Sequence, residues 1–305
     1  MKFGYTINNK LMMNSNGKLL TLEVNDPYNP LGLPPNTFRV RTNDGLAPNG
    51  KVNNYAEYDT ATLVEGTTDI YDVYKSGTDF ARLLRDSTNL IEVLGANTNG
   101  VTSIDSMFLN CSALSSIPLF DTSNVISFEM TFNGCKSLTS VPSYDTSNVT
   151  SMRYTFYDCS SLSSIPWFDT SKVTYIEGML KNCSSVSSVP LYDTSNVVYI
   201  NNMLANCTSL TSIPLFDTSN VVHMDYMLSE CTSLTSLPLF DTSNVKYMGF
   251  AFNSCYNVQS GALDLYRQAS TQTNPPIYHN YTFTDCGINT QTGSAELAQI
   301  PSDWK

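Results

Sequence analysis

The chain has 305 residues, of which 16 are Lys or Arg and 27 Asp or Glu, giving a formal net charge of −11. Only 14% of positions are charged, against roughly 25% in ordinary soluble domains, while the 41% hydrophobic content is enough for a substantial core. The acidic balance and the absence of Lys or Arg clusters argue against nucleic acid and anionic membrane surfaces as partners, and no apolar run reaches the about 18 residues that membrane insertion needs.

At the front, MKFGYTINNKLMMNSNGK places polar Asn8, Asn9 and Lys10 where an export signal would carry its apolar stretch, so no signal peptide is expected. Residues 1–74 show no repeat and read as a small β-rich attachment domain: FRVRT is a strand, and ATLVEGTTDIYDVY a hairpin turning at Glu65 to Thr68. From 75 to 260 the chain is periodic. Cys111, Cys135, Cys159, Cys183, Cys207, Cys231 and Cys255 stand 24 residues apart, and the same period carries Asp121, Asp145, Asp169, Asp193, Asp217 and Asp241. Such a period means one supersecondary unit per repeat, stacked on its neighbours.

Within one unit, Val125, Phe128, Phe132 and Cys135 lie at i, i+3, i+7 and i+10, which predicts a short helix over 125–134. Leu138 and Val141, followed by Pro142, open a short strand that later units continue as SLTSIPLF, paired with its equivalent one rung away. Asp145, Thr146, Ser147 and Asn148 suit the turn back to the next helix. Leu84, Ser87, Leu90 and Val93 form a degenerate first rung, with Ser87 in the cysteine place. From 261 to 305 the register slips, and Phe252 and Cys255 recur as Phe283 and Cys286, 31 residues on. The insertion holds a capping helix from about Ala262 to Ala269, stopped before Pro275 and Pro276. The expected fold is an α/β solenoid, a leucine-rich-repeat-like stack of 24-residue strand-turn-helix units.

The unit CTSLTSIPLFDTSNVVHMDYMLSE and its siblings, over about residues 76 to 260, resemble the BspA-like leucine-rich repeats, also described as the DUF285 repeat of mycoplasma-type surface lipoproteins. That resemblance implies a surface protein with an adhesive or protein-binding role. The segments LPPNTFRVRT, LIEVLGANTNGVTSIDSMF and GSAELAQIPSDWK look like those of tail-fibre or virion proteins of gut bacteriophages. The surface-lipoprotein pattern includes a signal peptide and lipobox cysteine that this sequence does not match.

Several columns invite a chemical reading. The cysteines, with parallel side chains on adjacent rungs and no C-x-x-C spacing, read as a reduced core rather than disulfides or a metal site. The aspartates suit repeated turns better than a calcium ladder. Phe120, Tyr144, Phe168, Tyr192, Phe216 and Phe240 form an aromatic column that is equally consistent with a buried corner and an exposed stacking platform. The positions that vary between repeats should form one outward patch, with Arg153, Tyr154, Tyr175, Tyr199, His223, Tyr226, Tyr247 and Phe250 as the candidate binding residues, because Tyr supplies area and a hydroxyl at low entropic cost. A merely solvated face is the plain alternative.

His223 and His279 are the only histidines and sit in no catalytic motif, and no P-loop or nucleophile elbow is present, so no catalysis and no cofactor are expected. The function expected is a virion-associated adhesion module. Its N-terminal domain would attach to virion structural proteins, and its variable face would recognise a host-surface protein or glycan. The alternatives are a structural decoration or spacer protein, and a bacterial cell-surface adhesin; a homo-oligomer stays open.

Overall fold

The structure is a computed structural model that describes residues 28–48 and 58–305. The export-signal reading of residues 1–18, and part of the attachment domain placed at 1–74, lie outside the described residues. Strands β1 (Thr37–Thr42), β2 (Thr60–Leu63), β3 (Ile70–Tyr74) and β4 (Leu90–Asn97) form one antiparallel sheet in the order β2-β3-β1-β4. FRVRT falls in β1, and β2 and β3 are the expected hairpin, whose turn uses Gly66 at φ 79°. Alternation in β1 follows the pleat: Phe38 and Val40 are buried, while Arg39 pairs with Asp72 at 2.7 Å and Arg41 with Glu92 at 2.8 Å. The fourth strand comes from beyond residue 74, within the first degenerate rung, and its Glu92 bridges in parallel to Ser116 of the next. One hydrophobic core therefore runs without a break from Phe38 to Trp304.

The repeats stack as expected, but their internal structure corrects the strand-turn-helix unit. Through 104–111, Met107, Leu109 and Cys111 donate to carbonyls three residues back at 3.0, 3.1 and 3.0 Å. The intervening amides of Ser106, Phe108 and Asn110 donate instead to Glu129, Thr131 and Asn133 of the next repeat, at 2.9, 2.9 and 2.7 Å. An α-helix needs each amide for the carbonyl four residues back; here half of them join rung to rung. Two residues per rung also take positive φ, such as Ser106 and Asn110, Met130 and Gly134, or Tyr226 and Glu230, which no right-handed helix accommodates. The apolar residues Val101, Ile104, Met107, Cys111, Leu114 and Ile117 are buried at three- and four-residue steps because consecutive turns, rather than a helix, return the chain to the core.

The strand half is corrected as well. The unbroken line of parallel bridges runs Ser127, Ser151, Tyr175, Tyr199, His223, Tyr247, Tyr278, inside the segment read as helix. The segment read as strand is bridged only at Glu92–Ser116 and Ser236–Ser260 among the described residues.

The aspartates act as turn residues. Oδ1 of Asp121, Asp145, Asp169, Asp193, Asp217 and Asp241 each accepts from the amide of the serine two residues on, at 2.8 to 3.1 Å. Their main-chain carbonyls receive a buried threonine hydroxyl from the preceding rung, as from Thr122 to Asp145 at 2.8 Å. Asn148, Asn196, Asn220 and Asn244 each tie their amide to a serine carbonyl 25 residues earlier. Ser, Thr and Asn thus do the work that charged pairs do elsewhere.

All eight cysteines are free and buried. From Cys111 to Cys255 each thiol in the 24-residue column donates to a carbonyl 27 residues earlier, at 3.0 to 3.2 Å. The aromatic column is the buried corner: Phe120, Phe168, Phe216 and Phe240 are at most 1% exposed, Tyr144 and Tyr192 3%. A buried phenol needs a partner, since an unsatisfied one costs about 1–3 kcal/mol. Tyr144 and Tyr192 donate to the carbonyls of Pro118 and Pro166 on the rung before.

Behind the repeats lie α1 (Ala262–Thr271), α2 (Gln291–Gln299) and a short 3-10 turn, Ser302–Trp304. α1 begins where expected and runs two residues past Ala269. Thr290 caps α2 by accepting from the Gly293 amide at 3.0 Å. Between the helices, the segment around Tyr278 to Cys286 forms the last rung, with Phe283 stacked on Phe252 at 5.4 Å. None of the described helices is long and apolar enough to cross a membrane.

Candidate functional site

Each rung turns two adjacent side chains outward from its bridged segment: the bridging residue itself, and the residue three positions on, which has positive φ. Because rungs repeat at the strand spacing of about 4.8 Å, aromatic residues in one column must stack. Tyr175, Tyr199, His223, Tyr247 and Tyr278 form one ladder, with ring centroids 5.2, 4.8, 4.3 and 5.0 Å apart and planes within 16°. Tyr226, Phe250 and Tyr281 form a second ladder beside it, with centroids 4.8 and 4.9 Å apart.

Between the ladders runs the column Asn201, Asp225, Gly249, Asn280. At its end lies an open groove of about 380 Å³, lined by Tyr226 and Phe250, by Tyr247 and Tyr278, and by Asp225, Gly249 and Asn280. Asp225 Oδ1 accepts from the Gly249 amide at 3.1 Å. Burial pushes its carboxyl above the ordinary range, partly offset by that hydrogen bond and by nearby His223.

The residues grouped from sequence as one patch fall into two places. Tyr175, Tyr199, His223 and Tyr247 lie in the first ladder, and Tyr226 and Phe250 in the second. Arg153 and Tyr154 belong to a separate cluster three rungs before Asp225 and Tyr226. There Arg153 pairs with Glu177 at 3.1 Å, Tyr154 donates to the same carboxylate at 2.7 Å, and the guanidinium stands 5.9 Å from the Tyr154 ring centroid. Burial first, and then the bond to Glu177, push the Tyr154 phenol up to about 12. Gly178 and Asn202 follow Tyr154 in its column, so no ring continues the second ladder until Tyr226.

Sequence reasoning missed Tyr278, Tyr281, Gly249 and Asn280. The signal was available: the 31-residue slip that carries Phe252 to Phe283 also carries Tyr247 to Tyr278 and Phe250 to Tyr281. It also missed a ridge on another face. With the aromatic column inside, its neighbours turn outward, and Trp167, Leu191, Leu215 and Leu239 are 55 to 61% exposed in line. His279 stacks on Trp304 at 4.2 Å and lies outside both ladders. Among the described residues, no three or more His, Cys, Asp or Glu side chains converge as metal ligands would.

These stacked, inward-facing rungs define a repeat protein. The chain belongs to the family described as Mycoplasma protein of unknown function, DUF285, whose pattern matches residues 78–190 and again 185–279. Among solved structures, it is similar to a leucine-rich repeat protein from Eubacterium ventriosum, at 20% identity and a TM-score of 0.35. That match covers 59% of this chain and 43% of the other, so the chain spans less than half the length of that protein. No curated protein matches.

Proposed function

We propose that the protein is a non-enzymatic binding protein, a solenoid rod that presents its two aromatic ladders to a protein or glycan on a cell surface. The observation that carries this reading is the groove between the ladders. The cysteine, threonine and inner aromatic columns are used up in packing, and the aspartates in turns, whereas these rings differ from rung to rung and stay accessible. Tyr278 and Tyr281 are 59% and 50% exposed. Their rings supply contact area at low entropic cost.

The finer reading places the protein on a bacteriophage tail or fibre, with the sheet-bearing N-terminal part attached to virion proteins and many copies raising weak affinity to strong attachment. The likeness of LPPNTFRVRT and GSAELAQIPSDWK to virion proteins supports it, and the resemblance to BspA-like repeats implies an adhesive role. A display of the same rod on a bacterial surface uses the same face.

Binding of the purified protein to candidate host cells and to a glycan array tests the site. Replacing Tyr199, Tyr226 and Tyr247 together by Ser should abolish binding, while Trp167→Ser on the separate apolar ridge should not. Unchanged binding by the triple variant overturns the proposal. Electron microscopy of intact virions with a labelled chain tests the placement.

A further inference from the structure

The column between the ladders reads Asp105, Glu129, Arg153, Glu177, Asn201, Asp225, Gly249, Asn280, one residue per rung. At its middle, Arg153 supplies a cation to Glu177 beside the Tyr154 ring, so carboxylate, cation and aromatic face are all contributed by the chain itself. Near its end the arrangement recurs with one part missing. Asp225 supplies the carboxylate, the ladders supply rings on both sides, and the next residue in the column is Gly249, which has no side chain. Among the described residues no Lys or Arg forms an ion pair with Asp225.

The space left at Gly249 is specific in its chemistry. A β-carbon there would lie 3.4 Å from the Asn280 carbonyl oxygen and 3.5 Å from Asp225 Oδ1, with no other atom within 4 Å among the described residues apart from its chain neighbours Met248 and Phe250. Both neighbours are acceptors, and one is an anion. The surrounding rings stack at centroid distances of 4.8 to 5.0 Å, with planes within 10° for Tyr226–Phe250 and Tyr247–Tyr278 and 27° for Phe250–Tyr281. Tyr226, Tyr278 and Tyr281 are 40 to 59% exposed, so electron-rich ring surface stays open to the groove. A cation entering the groove meets aromatic rings and oxygen acceptors, and among the described residues no Lys or Arg is already paired with Asp225.

We propose that this groove receives an arginine side chain of a partner protein, which takes beside Asp225 the place that Arg153 takes beside Glu177. Arginine fits because its planar guanidinium stacks on aromatic faces while its donors engage a carboxylate. The net charge of −11 steers a basic partner toward this chain. The inference rests on the ladders being the binding face.

The test uses the full chain and three soluble probes: a short acetylated peptide with one arginine among glycines and serines, the same peptide with citrulline, and tetramethylammonium chloride. The arginine peptide should perturb the ring resonances of Tyr226, Tyr247 and Tyr278. It should bind at least about tenfold more tightly than the citrulline peptide, the size of a cation–aromatic contact with a paired charge. Asp225→Asn keeps an acceptor for the Gly249 amide and should lose the same factor, and Gly249→Leu should fill the groove and abolish the response. Equal binding of arginine and citrulline peptides, or of wild type and Asp225→Asn, overturns the proposal. So does tetramethylammonium binding while the arginine peptide does not. Cell binding separates the two readings: loss in the tyrosine triple variant with retention in Asp225→Asn keeps the aromatic face and removes the arginine.

Discussion

The ring of Tyr154 lies across Gly178, occupying the position that a β-carbon on Gly178 would take. Gly178 also holds φ 59°, so the rung depends on glycine twice, once for conformation and once for room. Gly178→Ala should cost about 1–3 kcal/mol in urea unfolding. Adding Tyr154→Ala should recover the part owed to the ring and leave the part owed to the backbone. Additive losses in the double variant would show that the two residues do not interact.

Ser87 holds the first place in the cysteine column, fully buried, and its hydroxyl oxygen has no hydrogen-bond partner. The thiols from Cys111 onward reach a carbonyl 27 residues back, and the nearest such carbonyl for Cys111 belongs to Leu84 of this first rung. A lone buried hydroxyl costs about 1–3 kcal/mol, whereas a thiol behaves as a small hydrophobe. Ser87→Cys should therefore raise stability by about 1 kcal/mol in chemical denaturation. A destabilised variant would place the residue in a tighter or wetter site than the structure gives it.

The buried thiols make stability depend on pH in a defined direction. Burial pushes Cys207 and Cys255 up to about 12 and moves the other six upward too. A thiol with a raised pKa in the fold contributes fully below its unfolded value of about 8.5. As pH rises past that, the unfolded chain sheds protons the fold retains, at about 1.4 kcal/mol per pH unit for each thiol. The urea midpoint, measured under reductant, should hold from pH 7 to 8 and fall from 8.5 to 10. Thiol reagents should label the native protein slowly and the unfolded one at all eight cysteines.

The two tryptophans report the two kinds of surface. Trp167 is 58% exposed on the apolar ridge, and Trp304 is 5% exposed against His279 and Tyr266. Iodide should quench one component of the fluorescence and spare the other, and Trp167→Ser should remove the quenchable component while leaving the unfolding midpoint within about 0.5 kcal/mol. A single uniformly quenched population would contradict the placement of Trp304.

The repeat, its register, the reduced cysteines and the aspartate turns were all legible because each rung needs the same inward residues. The helix was not, because buried residues at steps of three and four satisfy a chain of turns as well as a helix. What separates the two is the residue before six of the eight cysteines: Asn110, Gly134, Asp158, Asn182, Asn206 and Asp285 are types that tolerate the left-handed region. A helix interior would disfavour most of them. The rings of the candidate site were legible where the period held and lost where 31 residues replaced 24, since Tyr278 and Tyr281 then fall out of line with the rings they stack on.

The hydrogen bonds of Ser106, Phe108 and Asn110 to the next rung have a consequence for how such a chain can change in evolution. Every rung offers its successor the same amide donors and its predecessor the same carbonyl acceptors, so an excision or duplication of one whole 24-residue unit leaves every surviving bond with an equivalent partner. Loss of a single residue, in contrast, would shift every later donor out of step. Reach is thus adjustable by whole rungs, and each added rung brings one new position to each ladder. Lengthening the molecule and rewriting its aromatic face are the same genetic event.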